Sequence, residues 1–445
     1  MASTSLTRTM TAGDRDKFTV SAWVKRGILG VAEYYWSCYT DASNYSSAFF
    51  DTDNTLHWYN KSGGGAAGQQ LPSRLFRDPG AWYHIVTVWD SAASAADRMR
   101  IYVNGDEVTS FLVDGNPTSG QDSQFGNSGS NMYLGQRGDA GSYFGGSLAH
   151  VHVCDGYAYA ASDFGETDST SGIWVAKTSP SVTYGTNGGF YKFASGASGT
   201  DSSGESNTLT ASGNLTNNKD NPDNNFATLN YIDNYYNGAT FSDGNCKVVT
   251  GSSPHGIING TFGLSSGKWY YELKVATAAS NNWDLIGISD LPSLAASDWL
   301  GLKANAWGWA GYTGGEIYNN NAVASTTGVT HTTGDILGCY IDLDNNKLYY
   351  AKNGTLVSST GLSLTAAAST TDGHYFPSCG DYSGSSTGTY ELNFGNGYFG
   401  TTAVTSAVAD EGGIGQFEYD PSSGTFDGSS KDFRAICTNN IATYG

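Results

Sequence analysis

The chain has 445 residues, of which 14% are charged and 13% aromatic, with 59 glycines, 9 prolines and a formal net charge of −19. So few charges beside so many aromatics and turn formers exclude a coiled coil, a helical bundle, a collagen and a disordered chain; they suit short strands joined by tight turns. A surface this acidic repels phosphate backbones and anionic bilayers, so neither nucleic acid nor membrane insertion is expected.

In chain order, residues 1–6 (MASTSL) contain no apolar h-region, so no secretory signal is expected. Residues 18–25 (FTVSAWVK) and 81–90 (AWYHIVTVWD) alternate with period two, as half-buried strands do. Asn104-Gly105 separates the run 99–103 from Glu107-Val108. Asn-Gly between strands predicts a two-residue hairpin, because its turn needs positive φ at both positions. Residues 131–135 and 146–153 close the series. Strand runs every 8–15 residues, roughly, predict a sandwich rather than βαβ units. Within the last run, His150 and His152 fall on one strand face and are read as outward polar positions, since zinc lacks a third ligand there. His84 is read as structural.

The segments WYHIVTVWD, RMRIYVNGDEV and NMYLGQRGDAGSYFGGSLAHVHVCDG resemble a concanavalin A-like, laminin-G-type jelly roll over most of residues 1–165. Residues 165–230 are less regular, and the Asn/Asp-rich stretch 214–225 reads as an interdomain connection. A second series begins near residue 231. Its order, GKWYYE, IGIS, WGW, GDILGCYIDLDNNKLYYAKNG, YFPSCG and LNFG, resembles the SPRY family over about residues 260–396. Asn345-Asn346 and Asn353-Gly354 mark further turns. The predicted fold class is all-β: two antiparallel β-sandwich (jelly-roll) domains in tandem, at 1–225 and 226–400, with a C-terminal extension at 401–445.

Catalytic patterns are missing. A jelly-roll glycosidase needs paired carboxylates facing one another, and no strand carries Glu-x-Asp-x-x-Glu. Asp342-Leu343-Asp344 reads as the shoulder of a hairpin. No Gly-x-Ser-x-Gly elbow is present. The six cysteines are scattered without CxxC spacing, so they read as small buried hydrophobes. The protein is therefore not expected to be an enzyme, and no cofactor is expected apart from calcium. The laminin-G resemblance implies that calcium would sit on rim loops, with Asp114 and Asp139 as the candidate ligands. Aromatic faces beside small polar residues suit sugar stacking. Tyr143, Tyr312 and Tyr318 are the candidates, the last two flanking a glycine-rich loop where SPRY domains present recognition loops.

The joining of GETDSTSGIWVAK to DSSGESNTLTASGNLT and DNPDNNFATLN, ahead of a SPRY-like module, is similar to segments of phage virion proteins. That resemblance implies a structural protein of a tailed phage, made in the host cytoplasm and displayed at the virion surface. It would be a tail fibre or tip that binds a host-surface glycan or protein, among other virion proteins. The alternatives are a capsid-decorating or stabilising protein and a glycan-processing enzyme. Adhesion through weak sites needs several copies, so a homo-oligomer, a trimer, is expected. No heptads are present to build a stalk.

Overall fold

The computed structural model describes residues 3–139, 141–193, 198–233, 238–251, 255–382, 387–423, 425–426 and 428–445. The chain divides into two compact units, residues 1–217 with 221–223, and residues 218–220 with 224–445. The fold class is as predicted: the sheets are antiparallel but for one short parallel strand pairing, and among the described residues there is one α-helix, the seven-residue Thr438–Tyr444.

In unit 1 an eight-stranded sheet packs on a six-stranded one. The larger runs, edge to edge, Phe111–Gly115, Gly65–Pro72, Leu56–Ser62, Asn44–Phe50, Glu33–Asp41, Asn131–Leu134, Ser5–Thr9 and Thr210–Ser212. At the centre of the smaller sheet, Lys17–Lys25 lies between Ser147–Asp155 and Trp82–Asp90. Alternation sends Phe18, Val20, Trp36, Cys38, Trp58 and Trp89 into one shared core. The rings of Phe18 and Trp58 meet edge-on at 5.7 Å, the arrangement their quadrupoles favour. The Asn104-Gly105 hairpin forms as expected, with φ of 52° and 93°.

The smaller sheet's other face is not open to water. Residues 157–190 fold across it, burying Phe164, Tyr184 and Phe190 against Val86, Val88 and Cys154. This corrects the reading of His152 as an outward polar position: it does face away from the core, but into this cover rather than into solvent. A bulge between Ala149 and His152, with His150 at φ 44°, breaks the alternation. His152 ends buried at 1% exposure, stacked on Phe190 at 3.9 Å and hydrogen-bonded to the Tyr184 hydroxyl at 3.0 Å.

Unit 2 packs a nine-stranded sheet on a six-stranded one. Lys268–Thr277 is central to the former, between Ile336–Asp342 and Thr389–Asn393. Its alternation is strict: Trp269, Tyr271 and Leu273 face the core between the sheets. Tyr270 faces the other way, with Tyr340 and Tyr349 from neighbouring strands. That second face is covered by the described residues between 410 and 437. Phe417, Phe426 and Phe433 bury their rings on the three tyrosines, and Arg434–Ala435 adds a short parallel pairing beside Trp269 and Tyr270. A buried carboxylate ties the cover down: Glu272 accepts the backbone N–H groups of Glu418 at 3.0 Å and Tyr419 at 2.8 Å. Asp342 and Asp344 shape the turn as expected, accepting the N–H groups of Asn345 and Gly267. All six cysteines are buried, and none is in a disulfide.

Candidate functional site

The outer face of unit 2's six-stranded sheet carries an aromatic cluster. The sheet runs Gly256–Asn259, Phe376–Asp381, Asp284–Ser289, Trp307–Ala310, Glu316–Asn319 and Ala322–Thr326. Gly308 has no side chain to hold the connection 290–306 away; a Cβ there would meet the Leu300 carbonyl oxygen at 2.3 Å. This close approach lays Trp299 and Leu300 on Ile257, Leu285 and Ala310. Around that base stand half-buried Trp283, Tyr312 and Tyr318 and exposed Tyr382.

Trp283 is the hub. Tyr312 stacks on it at 4.1 Å and 14°, Tyr382 lies at 4.8 Å and Tyr318 at 5.8 Å. Trp299 contacts Tyr318 at 5.2 Å and Tyr382 at 4.8 Å, both edge-on. His255 stacks on Tyr382 at 4.4 Å. Burial holds this imidazole below its ordinary range, so it is neutral near pH 7. The Tyr318 hydroxyl donates to the Glu316 carboxylate. Burial and that carboxylate push the phenol upward, so it stays protonated as a donor. The arrangement offers ring faces and edges with a hydroxyl–carboxylate pair at the rim. It can stack a flat apolar surface and hydrogen-bond the polar groups around it.

Tyr312 and Tyr318, 6 positions apart in sequence, are thus brought together. Trp283, Trp299, Tyr382 and His255 were missed, because each comes from a different connection and joins only in the fold. Within unit 1, Asp139 and Tyr143 share the connection between Asn131–Leu134 and Ser147–Asp155, and Asp114 lies elsewhere. Asp139 is exposed and ion-paired with Arg137, whose guanidinium sits 5.4 Å from the centre of the Tyr34 ring. The Arg137 side chain holds the Asp139 carboxyl below its usual range. Tyr143 is half-buried in the loop before Ser147–Asp155. Asp114 is not in a loop, as expected, but on the edge strand Phe111–Gly115, where its Oδ1 accepts from Gln70 at 2.9 Å and Asn116 at 3.0 Å. Four strands separate it from Asn131–Leu134, which leads to Asp139. Among the described residues no three His, Cys, Asp or Glu side chains gather closely enough to hold a metal ion.

One arrangement superficially resembles a nucleophile and base. His84 Nε2 is 2.8 Å from the Ser21 hydroxyl, fully buried in unit 1. However, the Trp174 indole N–H donates to His84 Nδ1 at 2.9 Å. Nδ1 is therefore the acceptor, and Nε2 carries the hydrogen and donates to Ser21. Burial also drives the imidazole down to about 3. A ring in this tautomer cannot take the serine proton, so the pair is structural. In unit 2, Asp284 and Asp381 face each other in register, but Asp284 accepts from Ala279 N–H and the Tyr390 hydroxyl, and Asp381 from Thr250. Both are spent on closing the end of the sandwich.

Residues 2–162 match the model of the concanavalin A-like lectin/glucanases superfamily, and residues 268–396 match that of the SPRY domain. The chain is thus two jelly-roll sandwiches in tandem. The first is a concanavalin A-like domain and the second a SPRY domain. The Ran-binding proteins 9/10 homolog of Drosophila melanogaster is 29% identical over 90 residues, which is 20% of this chain and 9% of that protein. Ran-binding protein 9 of Homo sapiens is 29% identical over 99 residues, 22% of this chain and 13% of that protein. The match therefore spans a small part of these relatives' length. Among solved structures, the SPRY domain of human HERC1 is 19% identical, covering 35% of this chain and 91% of that one, with a TM-score of 0.27. A heptameric SAP-like pentraxin from Limulus polyphemus is 22% identical over 34% of this chain and 69% of that one, with a TM-score of 0.26. A putative carbohydrate binding protein from Bacteroides ovatus is 13% identical over 48% and 56%, with a TM-score of 0.31.

Proposed function

We propose that this chain is a non-enzymatic adhesion protein of a tailed-phage virion, a surface fibre or tip that binds host-surface glycan. The observation that carries the binding role is the cluster of Trp283, Tyr312, Tyr318 and Tyr382, partly open to solvent on a sheet face. Clustered rings partly open to solvent are the usual mark of a surface that takes a ligand or partner. The lectin-containing superfamily matched by unit 1 supports a carbohydrate ligand. The virion setting rests on the resemblance of the segments between the two domains to phage virion proteins. Calcium on Asp114 or Asp139 and a trimeric assembly belong to the same proposal.

The test is adsorption of purified protein, and of particles carrying it, to host cells, with Tyr312→Ala and Tyr318→Ala beside wild type. Loss of adsorption in both variants, with folding intact by circular dichroism, is expected. Unchanged adsorption, with particles that fall apart when the protein is absent, would favour a capsid-stabilising role instead. The Ran-binding relatives, which match only over part of the chain, favour a second reading in which unit 2 takes a protein ligand. Binding that survives enzymatic removal of host glycans but not protease treatment of the cells would support it.

A further inference from the structure

The aromatic cluster of unit 2 sits in a field of one sign. The six strands of its sheet carry three carboxylates, Asp284, Glu316 and Asp381, and neither lysine nor arginine. The connection 290–306 that lies on this sheet adds Asp290 and Asp298 against a single base, Lys303. That lysine is already engaged, its Nζ 3.1 Å from the Asp298 carboxylate. Glu316 stands half-buried at the rim, where it accepts the Tyr318 hydroxyl. His255, stacked on Tyr382, is kept neutral near pH 7 by burial and adds no positive charge.

Elsewhere the chain sets its own cations on its rings. Arg26 lies 4.5 Å from the Phe50 ring centre, Lys431 4.9 Å from that of Tyr340 and Arg434 3.7 Å from that of Tyr444. Among the described residues no lysine or arginine lies over Trp283, Trp299, Tyr312, Tyr318 or Tyr382. These rings are not coplanar. Relative to Trp283, Tyr312 is inclined by 14°, Tyr318 by 41° and Tyr382 by 56°. Trp299 meets Tyr318 at 78° and Tyr382 at 62°. Electron-rich faces therefore turn in several directions around one indole, the side chain whose face attracts cations best.

Resting on the adhesion reading above, we infer that this cluster takes a quaternary ammonium group, and that the surface glycan is one bearing trimethylammonium substituents. Ring faces attract a cation through their quadrupole, and the surrounding carboxylates deepen the negative potential. The kind of cation follows from its hydrogen-bonding needs. A primary ammonium brings three N–H donors and a guanidinium five. At the rim stands one carboxylate, already engaged by a phenol. A quaternary ammonium has no N–H to satisfy, so ring faces and a nearby carboxylate suffice to replace its water. A polymer bearing phosphate or carboxylate would meet like charge on this face.

Isothermal titration of the full chain tests it with choline, its uncharged isostere neohexyl alcohol, and ethanolamine, whose ammonium is primary. Choline is expected to bind, and the other two at least about tenfold more weakly. Tyr312→Ala and Tyr382→Ala, the latter at an exposed position, should each lower choline affinity roughly tenfold, while Tyr312→Phe keeps most of it. Glu316→Gln should weaken choline binding and leave that of neohexyl alcohol unchanged, a split that lost folding does not produce. Choline should also displace the protein from host cells. Retention on phosphatidylcholine vesicles without displacement from cells would mean a lipid headgroup and overturn the glycan assignment. Equal affinity for choline and neohexyl alcohol, or tighter binding of ethanolamine, overturns the inference. No choline binding, with adsorption to host cells still lost in Tyr312→Ala, overturns it and leaves the adhesion reading standing. No choline binding and unchanged adsorption in that variant overturn both.

Discussion

Buried titratable groups give this protein an unusual pH response. Glu272 is fully enclosed, and burial pushes its carboxyl up to about 7 despite the N–H groups and the Asn393 amide that it accepts. Burial raises Asp284 to about 6, with its Oδ2 unpartnered. The folded state therefore binds protons that the unfolded chain, near 4, releases, and stability rises as pH falls from about 8 towards 6. The buried imidazoles act oppositely. His84, held to about 3, His331, to about 4, and His152, well below its ordinary value, stay neutral when the unfolded chain protonates near 6.5. Stability they support is lost as pH falls below 6.5, against a carboxylate gain to which Glu33 and Asp233, also raised to about 7 by burial, contribute, and which continues until the unfolded carboxylates protonate near 4. Melting temperature should therefore be higher between about pH 4 and 6 than at pH 8, and drop steeply below 4, as read by calorimetry across pH. Glu272→Gln should flatten the pH 8–6 limb. It should also cost about 1–3 kcal/mol at pH 5, because an amide NH₂ replaces an oxygen facing two donors. A melting temperature that climbs steadily from pH 5 to 8 would refute this. At the Asn104-Gly105 turn two effects add. Gly105 has φ 93°, and a Cβ there would lie 2.7 Å from the Trp174 ring that also holds His84. Gly105→Ala should cost about 2 kcal/mol or more in denaturant titrations, against about 1 for a strained turn alone.

At the scale of elements, the cover formed by residues 410–437 acts as part of unit 2's second core. Phe426 touches Tyr340 at 4.9 Å and Tyr349 at 4.7 Å, with the Lys431 ammonium 5.4 Å from its ring centre. Phe426→Ala should cost about 3–5 kcal/mol, and should raise binding of a hydrophobic dye as the tyrosine face opens. Hairpins and strands were legible in the sequence because their signals are local: Asn-Gly turns, and period-two runs such as 268–275. The cover was not. Its phenylalanines stand at 417, 426 and 433 without period, separated by Gly, Ser and Asp, and their partners lie about 70–160 residues earlier. The same holds for the binding cluster. Tyr312 and Tyr318 declared themselves beside a glycine-rich loop, while Trp283 and Tyr382 reach the cluster from connections far apart in the chain. His152 was misread because the outer face it points to is covered by residues 157–190, which lie later in the chain. Asp114 was misread because Asp-Gly-Asn carries a turn signature that edge pairing with Gln69 and Gln70 overrides.

At the scale of the whole chain, each unit has its own core, so residues 3–217 and 224–445 expressed separately should each melt cooperatively. Far-UV circular dichroism of either should contain little helix. Loss of cooperative melting in one fragment would mean that its core depends on the other. Within unit 2 the chain path is unusually long-range. Phe226 pairs with Cys437, and Ala227 donates its N–H to Ile436, so residues 210 positions apart complete one layer. Closing so long a loop costs entropy before any contact offsets it, and pairings of this separation form late. While the sandwich waits for that closure, Tyr270, Tyr340 and Tyr349 present an uncovered aromatic sheet face to the solvent. Refolding of unit 2 should therefore contain a slow phase at which aggregation competes, and yield should fall steeply with protein concentration. In a cell, a chaperone that binds exposed aromatic faces should raise the yield by acting within that interval.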